Sequence, residues 1–218
     1  MDVELARQKM VQQQVRTYEV LDPAVLDALS AVPRERFVPA AFRAFAFAEI
    51  EVPLAHGEAM MTPRIEGRAL QALALTPRDR VLEIGTGSGF LTACLAQLAA
   101  QVESWELHPD LAAAAAECLA AMGSSNARVA HRDGHRLPDD LAPFDAICLT
   151  GSVRALEPSF LAALAPGGRL FAVVGEGPTM TACLYTRRGE RSGCSVATLF
   201  ETVLPPLRNQ APVGRFQP

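Results

Sequence analysis

Apolar positions run along the chain in two alternating rhythms. Short stretches rich in Val, Ile, Leu and Phe at residues 80–84, 102–107, 127–131, 145–150 and 169–174 are bounded by Gly, Pro, Asp or Asn, which predicts strands. Between them Phe90, Leu91, Cys94, Leu95 and Leu98 share one face at helical spacing, residues 109–122 form an alanine-rich run stopped by Gly123, and a helix is expected near 155–164. Strands alternating with helices predict a mostly parallel sheet of the α/β class. Two further β-rich stretches, 181–186 and 195–203, are joined by residues 188–193. That link is too short for a helical crossover, so the pair should form a C-terminal antiparallel hairpin.

Ahead of the sheet the rhythm is helical and then lost. Ala6 with Met10 and Val11 with Val15 repeat at i, i+4, predicting an amphipathic helix over residues 3–20. Asp22 before Pro23 is a helix start, and Val25, Leu26, Leu29 and Val32 line one face until Pro33. Residues 37–63, punctuated by Pro39, Pro53, Gly57 and Pro63, read as loops, and a helix should follow from 64 to 75. The expected organisation is an N-terminal helical segment and loop, residues 1–64, and an α/β core, residues 65–218.

Composition narrows the partners. The 218 residues carry 20 Lys plus Arg against 24 Asp plus Glu, a formal charge of −4, with no basic run that could track a phosphate backbone, so nucleic acid is not expected. The five cysteines, Cys94, Cys118, Cys148, Cys183 and Cys194, form no CxxC pair and predict reduced thiols in a cytoplasmic protein, with neither a disulfide frame nor a metal site. The charged N-terminus lacks the apolar core of a secretory signal, and no stretch reaches the ~20 apolar residues of a membrane span.

The candidate chemistry lies where the first strand of the core ends. In VLEIGTGSG, residues 81–89, Gly85, Gly87 and Gly89 carry no Cβ and let a ligand approach the backbone, with Thr86 and Ser88 between them. The spacing is GxGxG; a dinucleotide fingerprint would need glycine where Phe90 stands. Glu83, inside the strand, suits the cationic methionyl end of S-adenosylmethionine better than a diphosphate. Glu106 ends the second strand about 20 residues after Gly85, where an acid meets ribose hydroxyls, with Leu107 beside it. Asp133 and Gly134 follow the third strand, where a carboxylate can accept from an adenine amino group, and Thr150 and Gly151 end the fourth. All fall at carboxyl ends of strands, where open α/β sheets bind ligands. Trp105 reads as packing, and His108 and His135 flank the pocket without metal-ligand spacing.

Around this motif stand VPRERFVP (32–39), VPLAHG (52–57) with Pro63, the Asp133-Gly134 pair, APFD (142–145), LAPGGRL (164–170), Val174-Gly175-Glu176 and VLPPL (203–207). On these segments the chain resembles the protein-L-isoaspartate (D-aspartate) O-methyltransferase family over nearly its whole length. The resemblance implies a Rossmann-like S-adenosylmethionine-dependent methyltransferase fold with N-terminal helices. It also implies repair chemistry on an isoaspartyl-containing protein or peptide. The family's loop reads like GQTISQP, with hydroxyls that hold the isoaspartyl carboxylate; here it is GEAMMTP, residues 57–63, with Ala59 and Met61 in place of threonine and serine. Thr62 supplies a hydroxyl one position along, which on an extended loop points the other way.

On the acceptor side the candidates are Thr62, Arg64 and His56. Arg64 could clamp a carboxylate bidentately, whereas His56 would serve as a base only for a hydroxyl or amine acceptor. Two alternatives stay open: methyl transfer to another acceptor, such as a small molecule received on the soft patch of Met60 and Met61, and a non-catalytic cofactor-binding homologue. A nicotinamide dehydrogenase is disfavoured by Phe90 and Glu83.

Overall fold

Each predicted β stretch is a strand in the computed structural model, which describes residues 2–135, 137–138, 140–189 and 193–209. The core strands are β3 (Arg80–Ile84), β4 (Gln101–Glu106), β5 (Ala127–His131), β6 (Phe144–Val153), β7 (Leu164–Val174), β8 (Met180–Arg187) and β9 (Cys194–Thr202); a separate small pair, β1 (Val52–Pro53) and β2 (Ala59–Met60), precedes them. The seven-stranded sheet has the order β5-β4-β3-β6-β7-β8-β9. Strands β3 to β7 pair parallel, while β8 pairs antiparallel with both β7 and β9, as the short link required. From β3 the chain winds outward through β4 and β5, then returns to β6 on the other side. The order therefore reverses between β3 and β6, and a crevice opens at their carboxyl ends.

The helices begin where the sequence supplies caps. In α2 (Pro23–Ala31) the Asp22 side chain accepts from Ala24 N at 2.9 Å and Pro23 takes the first position. In the same way α3 (Pro63–Leu73) starts on Pro63, α4 (Phe90–Leu98) follows Gly89, and α5 (Pro109–Ala121) starts on Pro109 and is closed by Gly123 at φ +72°. One apolar cluster joins the N-terminal segment, α3 and α4 to the sheet through Val15, Leu29, Leu70, Phe90, Val102 and Phe171. A second, on the opposite face, gathers Leu82, Trp105, Ile147, Phe160 and Leu170.

Several boundaries differ from the periodicity. The single helix expected over 3–20 is α1 (Val3–Lys9), then a wider π turn at Met10–Val15 and a 3-10 turn at Arg16–Tyr18. Through that change Met10, Val11 and Val15 all reach the core. Instead of a helix over 155–164 there is only α6 (Pro158–Ala162). Pro158 forbids an earlier start, and Ala163 already accepts from Phe144 N at 2.9 Å as β7 begins. The region expected as loops, 37–63, holds 3-10 turns and the β1/β2 pair. These are too short for hydrophobic periodicity to register.

Arg34, from VPRERFVP, has no solvent exposure. Its Nε donates to Ala46 O and its Nη2 to Met61 O, both at 2.9 Å; Nη1 pairs with Glu66, and the guanidinium lies 4.6 Å over the Phe90 ring. A 3-10 turn, the 61–62 loop, α3 and α4 are thus tied at one point. No described helix is long and apolar enough to cross a membrane.

Gly67 marks the closest approach of α3 to the N-terminal segment: a Cβ there would stand 2.7 Å from Val15 Cγ1. Gly67→Ala should therefore destabilise the fold by about 1–2 kcal/mol in urea denaturation, overpacking outweighing the helix propensity gained. Unchanged or increased stability would show that the contact relaxes freely.

Candidate functional site

The turn after β3 is shaped by what its residues cannot carry. Gly85 and Gly87 sit at φ +94° and +54°, and a Cβ on Gly85 would meet Thr150 Oγ1 at 2.3 Å. That hydroxyl donates to the carbonyls of Ile84 (2.9 Å) and Gly85 (2.6 Å), so the end of β6 locks the end of β3. Gly134 is held for space: a Cβ would lie 2.2 Å from Ile84 Cγ2. The bare backbone is left facing the crevice.

Acids surround this turn. Glu106, buried at the end of β4, accepts from Gly87 N at 2.8 Å and from His108 N at 3.0 Å, which aims its carboxylate across the glycine turn. Asp133 Oδ1 accepts from His135 N at 3.0 Å and Oδ2 from Asn209 Nδ2 at 3.2 Å. Glu83 has no exposure; its Oε2 accepts from Thr92 Oγ1 and Ser104 Oγ, each at 2.5 Å, and its Oε1 has no partner among the described residues. Burial pushes its carboxyl up to about 7, against the pull of the Ser104 and Thr92 hydroxyls. Thr86 Oγ1 lies 2.5 Å from the same Ser104.

Two connected cavities use these groups. The cleft, about 730 Å³ counting space open to solvent, is lined by Gly85, Glu106, Leu107, Asp133, Gly134 and Thr150 beneath Met60 and Met61. An extension of about 300 Å³ shares Ala59, Met60, Met61, Gly85 and Thr150 with it and adds Glu66, Glu83, Thr86 and Ser88. The expected cofactor set is thereby brought together, save that Gly87 acts through its N–H and Gly89 packs on Ala115 at the head of α4. An unpartnered buried carboxylate oxygen beside a glycine turn without Cβ atoms fits an elongated ligand with a cationic end.

The acceptor candidates lie elsewhere. Thr62 and Arg64 line a separate groove, about 1080 Å³ counting open space, with Tyr18, Arg68, Phe200 and Leu204. Arg64 Nε is 3.2 Å from Glu49 Oε1, an ion pair without hydrogen-bond alignment, and its guanidinium stacks 4.6 Å over Tyr18. The Thr62 hydroxyl has no partner among the described residues. His56 stands exposed at the rim at φ +60°, its Nε2 2.8 Å from Asp110 Oδ1 and its ring stacked 4.2 Å from that of His108. The division follows from the loop: Arg34 grips the Met61 carbonyl, Met60 and Met61 are buried, and Thr62 takes the N-cap position of α3 without a side-chain hydrogen bond.

Sequence reasoning missed the closure of the cleft. Glu58 Oε1 accepts from Arg208 Nε at 2.8 Å and lies 3.2 Å from His108 Nε2, joining loop, helix start and C-terminal strap over the opening. The strap is fixed to β6 by Ser152 N to Pro205 O (2.9 Å) and Leu207 N to Ser152 O (3.0 Å). Only the VLPPL segment hinted at it. The pairing of Glu58 with Arg208 leaves no local pattern.

A mostly parallel seven-stranded sheet with an antiparallel end, and a glycine-turn crevice at its switch point, define the Rossmann-like methyltransferase class. Within it the chain belongs to the protein-L-isoaspartate(D-aspartate) O-methyltransferase family, whose model matches residues 5–207. A protein-L-isoaspartate O-methyltransferase of Methylorubrum populi is 40% identical over 184 residues, covering 84% of this chain and 86% of its own. One from a Synechococcus species is 41% identical over 173 residues, covering 79% and 71%. Among solved structures, a protein-L-isoaspartate O-methyltransferase from Plasmodium falciparum, in complex with S-adenosyl-L-homocysteine, superposes with a TM-score of 0.81 over 93% of this chain and 98% of that one; at 21% identity the likeness concerns the fold.

Thr150→Val keeps the shape of the lock and removes its donor, leaving the Ile84 and Gly85 carbonyls short of a partner. Thermodynamic stability should fall by about 1–2 kcal/mol by urea titration; no change would mean that water replaces the hydroxyl without loss.

Proposed function

We propose that the chain transfers a methyl group from S-adenosylmethionine to the carboxylate of an isoaspartyl residue in a protein or peptide. The observation that carries this reading is the convergence of Glu83, Glu106 and Asp133 on one glycine-turn cleft, in a chain 40% identical to a relative named for that activity over 84% of its length. The donor, when bound, supplies an electrophilic methyl group on a sulfonium. Glu106, oriented by two backbone N–H groups, would accept hydrogen bonds from the ribose hydroxyls, and Asp133, Gly134 and Leu107 would hold the adenine. Glu83, with Thr86 and Ser88, faces the cationic end, and Gly85, Gly87, Gly89 and Thr150 hold the turn open.

A carboxylate acceptor is ionised at neutral pH and needs no general base, only orientation and exclusion of water. His56, engaged with Asp110, accordingly has no proton to remove. Met60 and Met61 line the cofactor cleft, and the groove of Thr62 and Arg64 is the candidate acceptor side. The inward methionines also favour a second reading, the same chemistry on a different, less polar acceptor. The five unpaired thiols suit a reducing, cytoplasmic setting.

Tritiated methyl transfer to an isoaspartyl peptide, with its normal aspartyl twin as control, tests the first reading. Label on the isoaspartyl peptide alone is expected. Cofactor binding without transfer to either would overturn it in favour of another acceptor or a non-catalytic role. Glu106→Ala should weaken S-adenosylmethionine binding at least about tenfold by calorimetry, one lost charge-assisted hydrogen bond being worth about 1.5–3 kcal/mol. Arg64→Ala should raise KM for the peptide and leave cofactor affinity intact; an unchanged KM removes Arg64 from the acceptor side.

A further inference from the structure

Glu83 is a buried acid without a cation of its own among the described residues. The titratable and charged groups facing it are Glu66 from α3, Glu106 from β4, Cys94 from α4 and Cys148 from β6, and none of these supplies positive charge. The nearby Arg34 is taken up by Glu66 and by the carbonyls of Ala46 and Met61. Hydroxyls from Thr92 and Ser104 serve one oxygen of Glu83, the other has no partner among the described residues, and Glu83 lines the 300 Å³ extension.

A carboxylate in such a place costs several kcal/mol unless it is paired, and the inexpensive alternative is to keep its proton. The two acids beside it act in the same direction, and burial pushes the Glu83 carboxyl up to about 7. Arrival of a positive ligand reverses the balance, because at a few ångströms in a poorly screened site one opposite charge outweighs the neighbouring acids.

We propose that Glu83 is held partly protonated in the empty pocket at neutral pH and gives up that proton when the cationic end of the methyl donor enters, so that donor binding is coupled to proton release. This rests on the reading that the extension receives the sulfonium and ammonium groups of S-adenosylmethionine. The O–H bond of the carboxyl breaks, its electron pair stays on Glu83, and the proton passes to the buffer. The sign follows: with the acid protonated in the free protein and ionised in the complex, affinity rises with pH through the titration range of the free carboxyl.

Calorimetric titration of the full chain with S-adenosylmethionine at pH 7, in phosphate and in Tris, reads the coupling from the dependence of the observed heat on buffer ionisation enthalpy. About half a proton per site should be released, and the Kd should fall about tenfold between pH 5.5 and 7. Glu83→Gln, isosteric and without a proton to lose, should abolish the release and flatten the pH profile. Binding by the native chain with no buffer dependence overturns the proposal even if the variant does not fold, as would equal release by native chain and variant. Absence of any binding heat, with no displacement of a fluorescent adenosyl analogue, overturns the cofactor reading itself and the proposal with it.

Discussion

A guanidinium with no access to water must have every donor met, and the segments that meet those of Arg34 are far apart in the chain. Ala46 and Met61 offer carbonyls, Glu66 a carboxylate, Phe90 the face of its ring. Because those partners sit in the N-terminal segment, the loop before α3, α3 itself and the first turn of α4, the pair fixes how the helical segment lies against the sheet. It also fixes which way residues 59–62 face. Removing one member leaves a buried charge unpaired, so the arrangement holds together or fails together.

On that frame the cleft is assembled by strand ends. Thr150 locks β6 to β3, Glu106 reaches from β4 to the glycine turn, and Asp133 follows β5. No helix or loop has to move for these groups to converge, since the parallel sheet places the ends of neighbouring strands side by side. The acceptor side is built differently. The groove of Thr62 and Arg64, the candidate acceptor side, is bounded by α3, the N-terminal segment and the end of β9, while Met60 and Met61 line the cofactor cleft. The cofactor cleft and the candidate acceptor groove are thus built from different elements.

Much of this was legible in the residues. Strand periodicity located β3 to β9, the Asp22-Pro23 and Gly123 signals located helix ends, and the offset from Gly85 to Glu106 identified the acid that accepts from Gly87 N. What could not be read were partners chosen by tertiary packing. Arg34 looked like one charge among several in RER, yet it is fully buried, whereas Arg36 is exposed. Glu58, His108 and Arg208 carry no mutual spacing, and their meeting depends on where the C-terminal strap crosses β6. Thr62 was expected to point the other way from its loop neighbour and Arg64 to stand beside the loop, and the groove they line is formed with Tyr18 and Phe200, which no local pattern connects to them.

On the proposed reading the turns at the ends of β3, β4, β5 and β6 form a single cofactor site, which hydrogen–deuterium exchange followed by mass spectrometry, with and without S-adenosylmethionine, can locate. Slower exchange confined to peptides spanning residues 85–89, 106–108, 133–135 and 150–151, together with the 57–61 loop above them, is the predicted result. Protection centred on the groove of Tyr18, Arg68 and Phe200, or none at any of the strand ends under saturating ligand, would contradict it.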